Sequence, residues 1–178
     1  MDDTIEYLVP AWLKWINSNY DYDIKPEDIT TFDISQFFPD LTEDELFKPL
    51  HQEDFWKTVQ PMDDAIHYIK KIIDEGYNFY IVTSSHPDTL SYKLKHVLFK
   101  YFPFVDKHNV ITTYKKQLIR CDILIDDAAH NVVGPYIGIL IDTPHNRFLH
   151  EEDFSGIYRV YNWKEIYNLI HTLTDQLI

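Results

Sequence analysis

The sequence predicts an α/β protein whose core is a doubly wound parallel sheet. Short apolar runs recur through the second half of the chain, and within each run the residues are almost continuously apolar. Strands of this kind are typical of a sheet that is covered on both faces. Segments with helical periodicity lie between the runs, and an alternation of strands and helices produces a parallel sheet.

Five segments of the second half are predicted to contribute one strand each. They are YNFYIVTSS (77–85), NVITT (109–113), CDILIDD (121–127), YIGILID (136–142) and YRVYNW (158–163). Each contains a run rich in β-branched or aromatic residues, and each run has the length of a buried strand.

Four segments are predicted to form the longer helices, at residues 6–20, 62–76, 87–102 and 163–178. In the second of these, isoleucines recur at helical spacing and Gly76 provides a C-terminal stop signal. The third begins at Pro87, and proline is favourable in the first turn of a helix.

The first sixty residues contain no such series of short apolar runs. Thr42 and Glu45 form a T-x-x-E capping box, which predicts the start of a short helix. We therefore predict a small helical cap at residues 8–58, inserted into an α/β core that comprises residues 1–7 and 59–178.

The charge and composition of the 178 residues exclude several classes of protein. The formal net charge is −13, and the only basic doublets are Lys70–Lys71 and Lys115–Lys116. A protein that binds polymeric nucleic acid needs larger basic patches to neutralise phosphates, so we expect no such partner. The sequence contains no signal peptide and no apolar stretch of transmembrane length, so we expect no membrane partner and a cytoplasmic location.

Polar side chains follow three of the predicted strands. Thr83 and Ser84 end the first strand, Lys116 follows the second, and Asp126 and Asp127 end the third. The carboxyl ends of parallel strands meet at one rim of a sheet, where ligands bind. Two adjacent carboxylates repel each other unless a cation neutralises them, and Mg²⁺ favours such oxygen ligands. Taken singly, each group has an ordinary alternative as a turn, a cap or a solvated surface residue.

In this order the groups resemble motifs II, III and IV of the haloacid dehalogenase superfamily of phosphatases. The segments DFWKTVQPMDDAIHYIKKI, IVTSS and TTYKKQLIRCDILIDDAAHN also resemble the 5′(3′)-deoxyribonucleotidase family. The similarity extends over essentially the whole chain. It implies a Rossmann-like sheet with a helical cap directly after motif I.

Motif I of the superfamily is D-x-D-x-[TV], and the chain opens with MDDT. This alignment places Asp2 on the second aspartate and Thr4 on the final residue, while Asp3 falls on a variable position. The first aspartate, which is the family's nucleophile, would lie one position before Met1, preceded by the central strand of the sheet. We therefore expect that the native protein begins several residues earlier. Without that strand the sheet would have a gap, and we expect either that a neighbouring chain or another segment fills it or that further residues precede Met1.

The resemblance assigns a role to each matching residue. Asp2 would be the general acid and base, and its backbone carbonyl would bind Mg²⁺. Thr83 and Ser84 would bind the phosphoryl oxygens, and Lys116 would neutralise charge. Either Asp126 or Asp127 would bind Mg²⁺ directly, and the sequence does not distinguish them.

These roles predict Mg²⁺-dependent hydrolysis of a nucleoside monophosphate, with a deoxyribonucleotide as the expected substrate, through a phospho-aspartate intermediate. Two alternatives stay open: a phosphatase of another small phosphate ester, and a non-catalytic relative that binds a phosphorylated ligand or a protein.

A base could stack on one or two aromatic residues of the cap region, although most are expected to pack in the cap's own core. These are Tyr7, Trp12, Trp15, Phe32, Phe37, Phe38 and Trp56. The oligomeric state is not predicted.

Overall fold

The computed structural model describes residues 1–149 and 156–175. These residues contain five strands: β1 (Ile81–Thr83), β2 (Val110–Thr112), β3 (Ile123–Asp126), β4 (Ile137–Ile141) and β5 (Ile157–Val160). Each predicted segment thus contributes one strand. Every pairing between these strands is parallel, which confirms the α/β fold class.

The strands form two sheets and not one continuous sheet. β1 pairs with β2, so that Thr83 lies opposite Thr112. The other sheet has the order β3-β4-β5, with Asp126 opposite Leu140 at its carboxyl edge. The gap that the sequence predicts therefore lies between the β1-β2 pair and the three-stranded sheet.

The described residues contain seven α-helical segments. They are α1 (Leu8–Asn19), α2 (Glu43–Phe47), α3 (Glu53–Trp56), α4 (Ala65–Asp74), α5 (Pro87–Lys93), α6 (Phe99–Tyr101) and α7 (Trp163–Asp175). A π-helical turn, Leu94–Leu98, joins α5 to α6 within the segment predicted as one helix. The capping box at Thr42 and Glu45 begins α2 as predicted. Residues 176–178 of the last predicted helix lie outside the described residues.

Residues 8–58 contain α1, α2, α3 and several 3₁₀ turns, but no strand. Their buried side chains share one apolar cluster with those of the later elements: Trp12 and Phe38 belong to the same cluster as Ile139 and Trp163. The division of the chain into a cap and a core stays a prediction. In the part of the chain that the structure describes, no helix is long and apolar enough to cross a bilayer.

Gly138 on β4 has no room for a side chain. An added Cβ would lie 2.2 Å from the carbonyl oxygen of Val132, which follows the turn after β3. We expect Gly138→Ala to lower the free energy of unfolding by about 1–3 kcal/mol, because the backbone must move to relieve the overlap. Urea denaturation measures this change. Val133→Ala is the matched control, since Val133 lies in the same loop but is exposed; equal losses in both variants would contradict the prediction.

Candidate active site

The first seven residues form a tight, buried turn at the carboxyl edge of the sheets. The amides of Thr4 and Ile5 donate to the carbonyl oxygen of Met1 at 3.2 and 3.0 Å. Asp3 has a positive φ of 44°, a conformation that aspartate tolerates better than most residues. Its carboxylate accepts a hydrogen bond from the amide of Val9 near the start of α1. Asp3 therefore stabilises the turn through its contact with α1.

Asp2 is held by Lys93, a residue that the sequence analysis did not identify. The Lys93 ammonium contacts the Asp2 carboxylate and donates to Thr83 Oγ1 at 3.0 Å and to Ser85 Oγ at 3.2 Å. The Lys93 side chain is 0% exposed. Through this lysine the structure brings Asp2 and Thr83 at the end of β1 together.

Ser84 lies beside this cluster, but its hydroxyl donates to the carbonyl oxygen of Thr113 at 2.8 Å. The hydroxyl therefore also ties the end of β1 to the end of β2. Its remaining acceptor capacity and its backbone amide are the groups with which Ser84 could contact a phosphoryl oxygen.

Lys116 forms a second buried ion pair, with Asp126 at the end of β3. Its Nζ lies 2.5 Å from Asp126 Oδ2, and both side chains are less than a tenth exposed. The other oxygen, Oδ1, accepts hydrogen bonds from the amide of Ala128 at 3.0 Å and from Asn131 Nδ2 at 2.9 Å. Both oxygens of Asp126 are thus occupied by protein donors.

Asp127 contacts the N-terminal turn. Its Oδ1 lies 3.2 Å from Thr4 Oγ1, and the same hydroxyl lies 3.0 Å from the backbone carbonyl oxygen of Asp2. On the other side, Asp127 Oδ2 lies 3.1 Å from His145 Nε2. The Asp2 carbonyl and the Asp127 carboxylate, both predicted metal ligands, therefore converge on one point.

The two lysines and the amino terminus set the protonation of the carboxylates. Burial by itself would raise the pKa of Asp2, but the Lys93 ammonium and the N-terminal ammonium hold it below its usual value. Burial likewise opposes ionisation of Asp126, while the N-terminal ammonium and Lys116 keep its pKa lowered. Both groups are therefore ionised at neutral pH, because the cations outweigh the cost of burial.

Glu6 is a fully buried acid beside this cluster. It lies 3.6 Å from Lys93 Nζ, and neither of its carboxylate oxygens has a hydrogen-bond partner. Burial raises the pKa of Glu6, and the neighbouring Asp2 charge raises it further against the attraction of Lys93. Lys93 thus contacts two neighbouring acids and offsets the repulsion between them.

The donor set fits a magnesium ion. Mg²⁺ typically binds one or two carboxylates and completes its octahedral coordination with water and substrate oxygens. The groups at this point are oxygen donors: the Asp127 carboxylate and the Asp2 carbonyl, with the Asp126 carboxylate on the adjacent residue. Within the described ranges, no cluster of three or more His, Cys, Asp and Glu side chains is arranged to hold a metal. Backbone, water and phosphate oxygens would therefore have to complete the coordination.

One aromatic residue of the cap region borders this site. Phe32 is 64% exposed, and its ring centroid lies 5.2 Å from that of His130 and 5.7 Å from that of His145. Trp12, Phe38 and Trp56 are buried instead, in the apolar cluster that they share with the later elements. Among these aromatics Phe32 is thus the one that presents a large open face beside the Asp127–His145 pair.

Comparison with known proteins identifies the family. A family model described as "5' nucleotidase, deoxy (Pyrimidine), cytosolic type C protein" matches residues 1–177. The chain belongs to this family. A 5′(3′)-deoxyribonucleotidase of Bacillus subtilis strain 168 is 34% identical over 169 residues, which cover 93% of this chain and 92% of that protein. A 5′(3′)-deoxyribonucleotidase of Clostridium acetobutylicum is 30% identical over 182 residues, with 99% and 95% coverage.

The family assignment confirms the resemblance that the motifs predict. A solved structure of a hydrolase from Pseudomonas syringae is also similar, with a TM-score of 0.56 and 15% identity over 96% of this chain and 95% of that one. At this level of identity the likeness supports the fold alone, and it agrees with a haloacid dehalogenase-like, Rossmann-type architecture.

Proposed function

We propose that this protein is a Mg²⁺-dependent phosphatase of nucleoside monophosphates, with deoxyribonucleotides as the preferred class. The observation that carries the proposal is the convergence of two buried lysines, Lys93 and Lys116, with Asp2 and Asp127 at the carboxyl edge of the sheets. Membership of the deoxyribonucleotidase family supports the choice of substrate.

In this proposal each residue takes the role that the family resemblance implies for it. Thr83, Ser84 and Lys116 bind the phosphoryl group, whose negative charge the lysine offsets. Asp127 and the Asp2 carbonyl would hold Mg²⁺, which would lower the charge repulsion at the phosphate. Thr4 and His145 contact the oxygens of Asp127, and Lys116, Ala128 and Asn131 contact those of Asp126. We assign the direct carboxylate ligand to Asp127, because its Oδ1 and the Asp2 carbonyl oxygen lie beside the same Thr4 hydroxyl.

Phosphoryl transfer would proceed in two displacements. A carboxylate attacks phosphorus, the bond from phosphorus to the nucleoside oxygen breaks, and Asp2 gives its proton to that oxygen. Water then attacks the phospho-aspartate, Asp2 takes a proton from the water, and phosphate leaves. The motif I alignment places the attacking carboxylate directly before Met1. Asp2 is ionised in the free protein, so it would gain its proton when the phosphate is bound.

A phosphate-release assay with Mg²⁺ on a panel of nucleoside monophosphates tests the proposal. The chain as given is compared with a form in which an apolar strand and Asp are joined to Met1. Turnover in the extended form alone is expected. Turnover in both would mean that the nucleophile is misplaced, with Asp2 the first residue to test. Turnover in neither would overturn the proposal and favour a phospho-ligand binder or an untested phosphate ester.

The exposed ring of Phe32 predicts a contribution to nucleotide affinity. Stacking of a base on an aromatic ring is worth roughly 1–3 kcal/mol, so we expect Phe32→Ala to weaken deoxynucleoside monophosphate binding by about 5- to 100-fold. Calorimetry with Mg²⁺ measures this change. Inorganic phosphate should bind both forms equally, because it has no base. Tyr80→Ala is the control, since Tyr80 is also exposed but precedes β1 at the opposite rim.

A further inference from the structure

The segment 142–149, which follows β4, holds the backbone of Asp127 through one buried amide side chain. Asn146 is 1% exposed. Its Nδ2 donates to the carbonyl oxygen of Asp127 at 2.7 Å and to that of Ile141 at 2.8 Å. Its Oδ1 accepts a hydrogen bond from the amide of Thr143 at 3.2 Å. One side chain therefore ties the end of β3 to the end of β4.

This link lies where the pairing of the two strands ends. β3 ends at Asp126, whose partner in register is Leu140 of β4, and Asp127 is the next residue along the chain. The hydrogen bond from Asn146 therefore extends the connection between the strands by one residue. Because a buried carbonyl group without a partner is costly, this bond fixes the backbone from which the Asp127 carboxylate extends.

Arg159 of β5 fixes Asn146 in turn. Its Nη1 donates to Asn146 Oδ1 at 2.9 Å and to Asp142 Oδ1 at 3.0 Å. Its Nη2 donates to the carbonyl oxygens of Asn146 and Leu149, both at 3.2 Å. The side chains of Arg159 and Asp142 are 12% and 6% exposed. A planar guanidinium presents its donors in a fixed geometry, so the contacts form a rigid connection from Arg159 through Asn146 to Asp127.

The residue before Asn146 contacts the carboxylate of Asp127. His145 Nε2 lies 3.1 Å from Asp127 Oδ2, and the two side chains are 8% and 11% exposed. Since the two residues are consecutive, the contacts that fix Asn146 also fix the backbone that carries His145. The segment 142–149 thus contacts both the main chain and the side chain of Asp127, and a shift of this segment would move the carboxylate.

We propose that Asn146, held by Arg159, is a positioning residue that orients the Asp127 carboxylate for a divalent cation. Both polar atoms of the Asn146 side chain are used within the protein, so it acts through Asp127 and is not itself a ligand. Partners that hold metal ligands set metal affinity, because they fix the direction of the ligand's lone pairs. The proposal deepens the proposed function and rests on it for the choice of Asp127 as the metal ligand.

Titration with Mn²⁺, followed by electron paramagnetic resonance of the free ion, measures cation affinity without turnover. Mn²⁺ takes the same kinds of oxygen ligand as Mg²⁺. We expect Asn146→Ala to weaken Mn²⁺ binding by about 10- to 100-fold. Asn17→Ala is the matched control, because Asn17 makes a similar bridge, to the carbonyl oxygen and the amide of Ile24, near the end of α1. We expect the control to bind Mn²⁺ as the unaltered chain does.

Asn146→Asp separates the orientation of Asp127 from the charge around it. The variant keeps an acceptor for Arg159, but it replaces the Nδ2 donor with an oxygen that faces two carbonyl oxygens. Its added negative charge would by itself attract a cation. A positioning role therefore predicts weaker Mn²⁺ binding, by about tenfold or more, where charge alone predicts tighter binding. Unchanged or tighter binding in Asn146→Asp would overturn the proposal.

Arg159→Met tests the second step of the connection. Asp142 keeps Arg147 as an ion-pair partner in this variant. We expect Arg159→Met to weaken Mn²⁺ binding, and Arg159→Met with Asn146→Ala to bind about as weakly as Asn146→Ala alone, because Arg159 acts through Asn146. Losses that multiply in the double variant would contradict this step. If neither Asn146 variant folds in urea denaturation, Arg159→Met decides, and an affinity equal to that of the unaltered chain would overturn the proposal.

Asp127→Asn separates this proposal from the proposed function. We expect it to abolish Mn²⁺ binding, because it removes the carboxylate that is assigned as the ligand. Loss of binding in Asp127→Asn with unchanged binding in Asn146→Ala would overturn the positioning role and leave the proposed function in place. If the unaltered chain binds no Mn²⁺, or Asp127→Asn binds it equally well, the metal site of the proposed function is wrong, and the positioning role is overturned with it.

Discussion

Lys93→Met is expected to lower the free energy of unfolding by about 3–5 kcal/mol at neutral pH, because removing one partner of a buried ion pair leaves an uncompensated charge. The Lys93 ammonium contacts the Asp2 carboxylate and lies 3.6 Å from Glu6 Oε1. Without it, two acids face each other at the bottom of the site, and both oxygens of Glu6 have no other hydrogen-bond partner. Urea denaturation followed by tryptophan fluorescence measures the loss.

Lys95→Met is the matched control for this prediction. Lys95 is two residues away and also pairs with an acid, Glu53, but its side chain is 67% exposed. Exposed ion pairs contribute little, so we expect a change below about 1 kcal/mol. A loss in Lys93→Met no larger than that of the control would contradict the prediction.

A double variant identifies which acid causes the loss. Replacing both members of a buried ion pair by apolar residues of similar size is often neutral or stabilising. We therefore expect Lys93→Met with Glu6→Met to recover most of the stability, since Asp2 is partly exposed and can be hydrated. Absence of recovery would show that the Asp2 contact, and not the burial of Glu6, carries the effect.

Much of this fold can be read from local sequence patterns. The five apolar runs predict strands because continuous apolar segments of this length are typical of a covered sheet, and the structure confirms one strand in each. Burial is less complete than this pattern predicts, since β2 contains no buried residue and Tyr158 of β5 is 43% exposed. The positions of Thr83, Asp126 and Asp127 at strand ends follow from the same patterns, since parallel strands place their carboxyl ends at one rim.

Lys93 was missed because its role depends on the tertiary fold. The segment predicted as one helix, residues 87–102, contains several lysines, and a lysine on a helix is usually solvated. One local signal was present: Thr89, Lys93 and Val97 are spaced four residues apart, and all three are buried. A lysine within the buried stripe of a helix indicates a buried acid nearby, but the sequence does not show which acid that is.

The N-terminal turn could be predicted only in part. The motif alignment identifies Asp2 and Thr4, but the contact between Thr4 and Asp127 joins residues 123 positions apart. Glu6 lies within an apolar run, IEYLV, and nothing local distinguishes a buried glutamate there from an exposed one. Its burial follows from the bridges that Glu6 makes with Asp2 and Pro61, which pairing across the chain determines.

Lys116→Met is expected to have a comparably large and pH-dependent effect. Lys116 Nζ lies 2.5 Å from Asp126 Oδ2 in a buried pair, so its removal should cost about 3–5 kcal/mol near neutral pH. Lys115→Met is the matched control, because the adjacent lysine is exposed. We expect the control to change stability by less than about 0.5 kcal/mol.

The sign of the pH dependence follows from the pKa of Asp126. In the native protein this pKa is lowered, so the ionised group contributes stability that is present above the unfolded-state pKa of about 3.9 and is lost as the pH falls through the folded value. Burial raises the pKa of Asp126, and Lys116 is the main side chain that offsets this effect. In Lys116→Met the pKa of Asp126 should therefore rise. The loss in free energy of unfolding caused by Lys116→Met should therefore be largest near pH 7. It should become smaller as the pH approaches about 4, where Asp126 binds a proton.

Denaturation of both proteins over this pH range measures the difference in free energy of unfolding. A second variant, Lys116→Met with Asp126→Asn, removes the charge at every pH and should abolish the pH dependence of the deficit. A deficit that is constant with pH in the single variant would show that Lys116 acts through packing and not through the charge of Asp126.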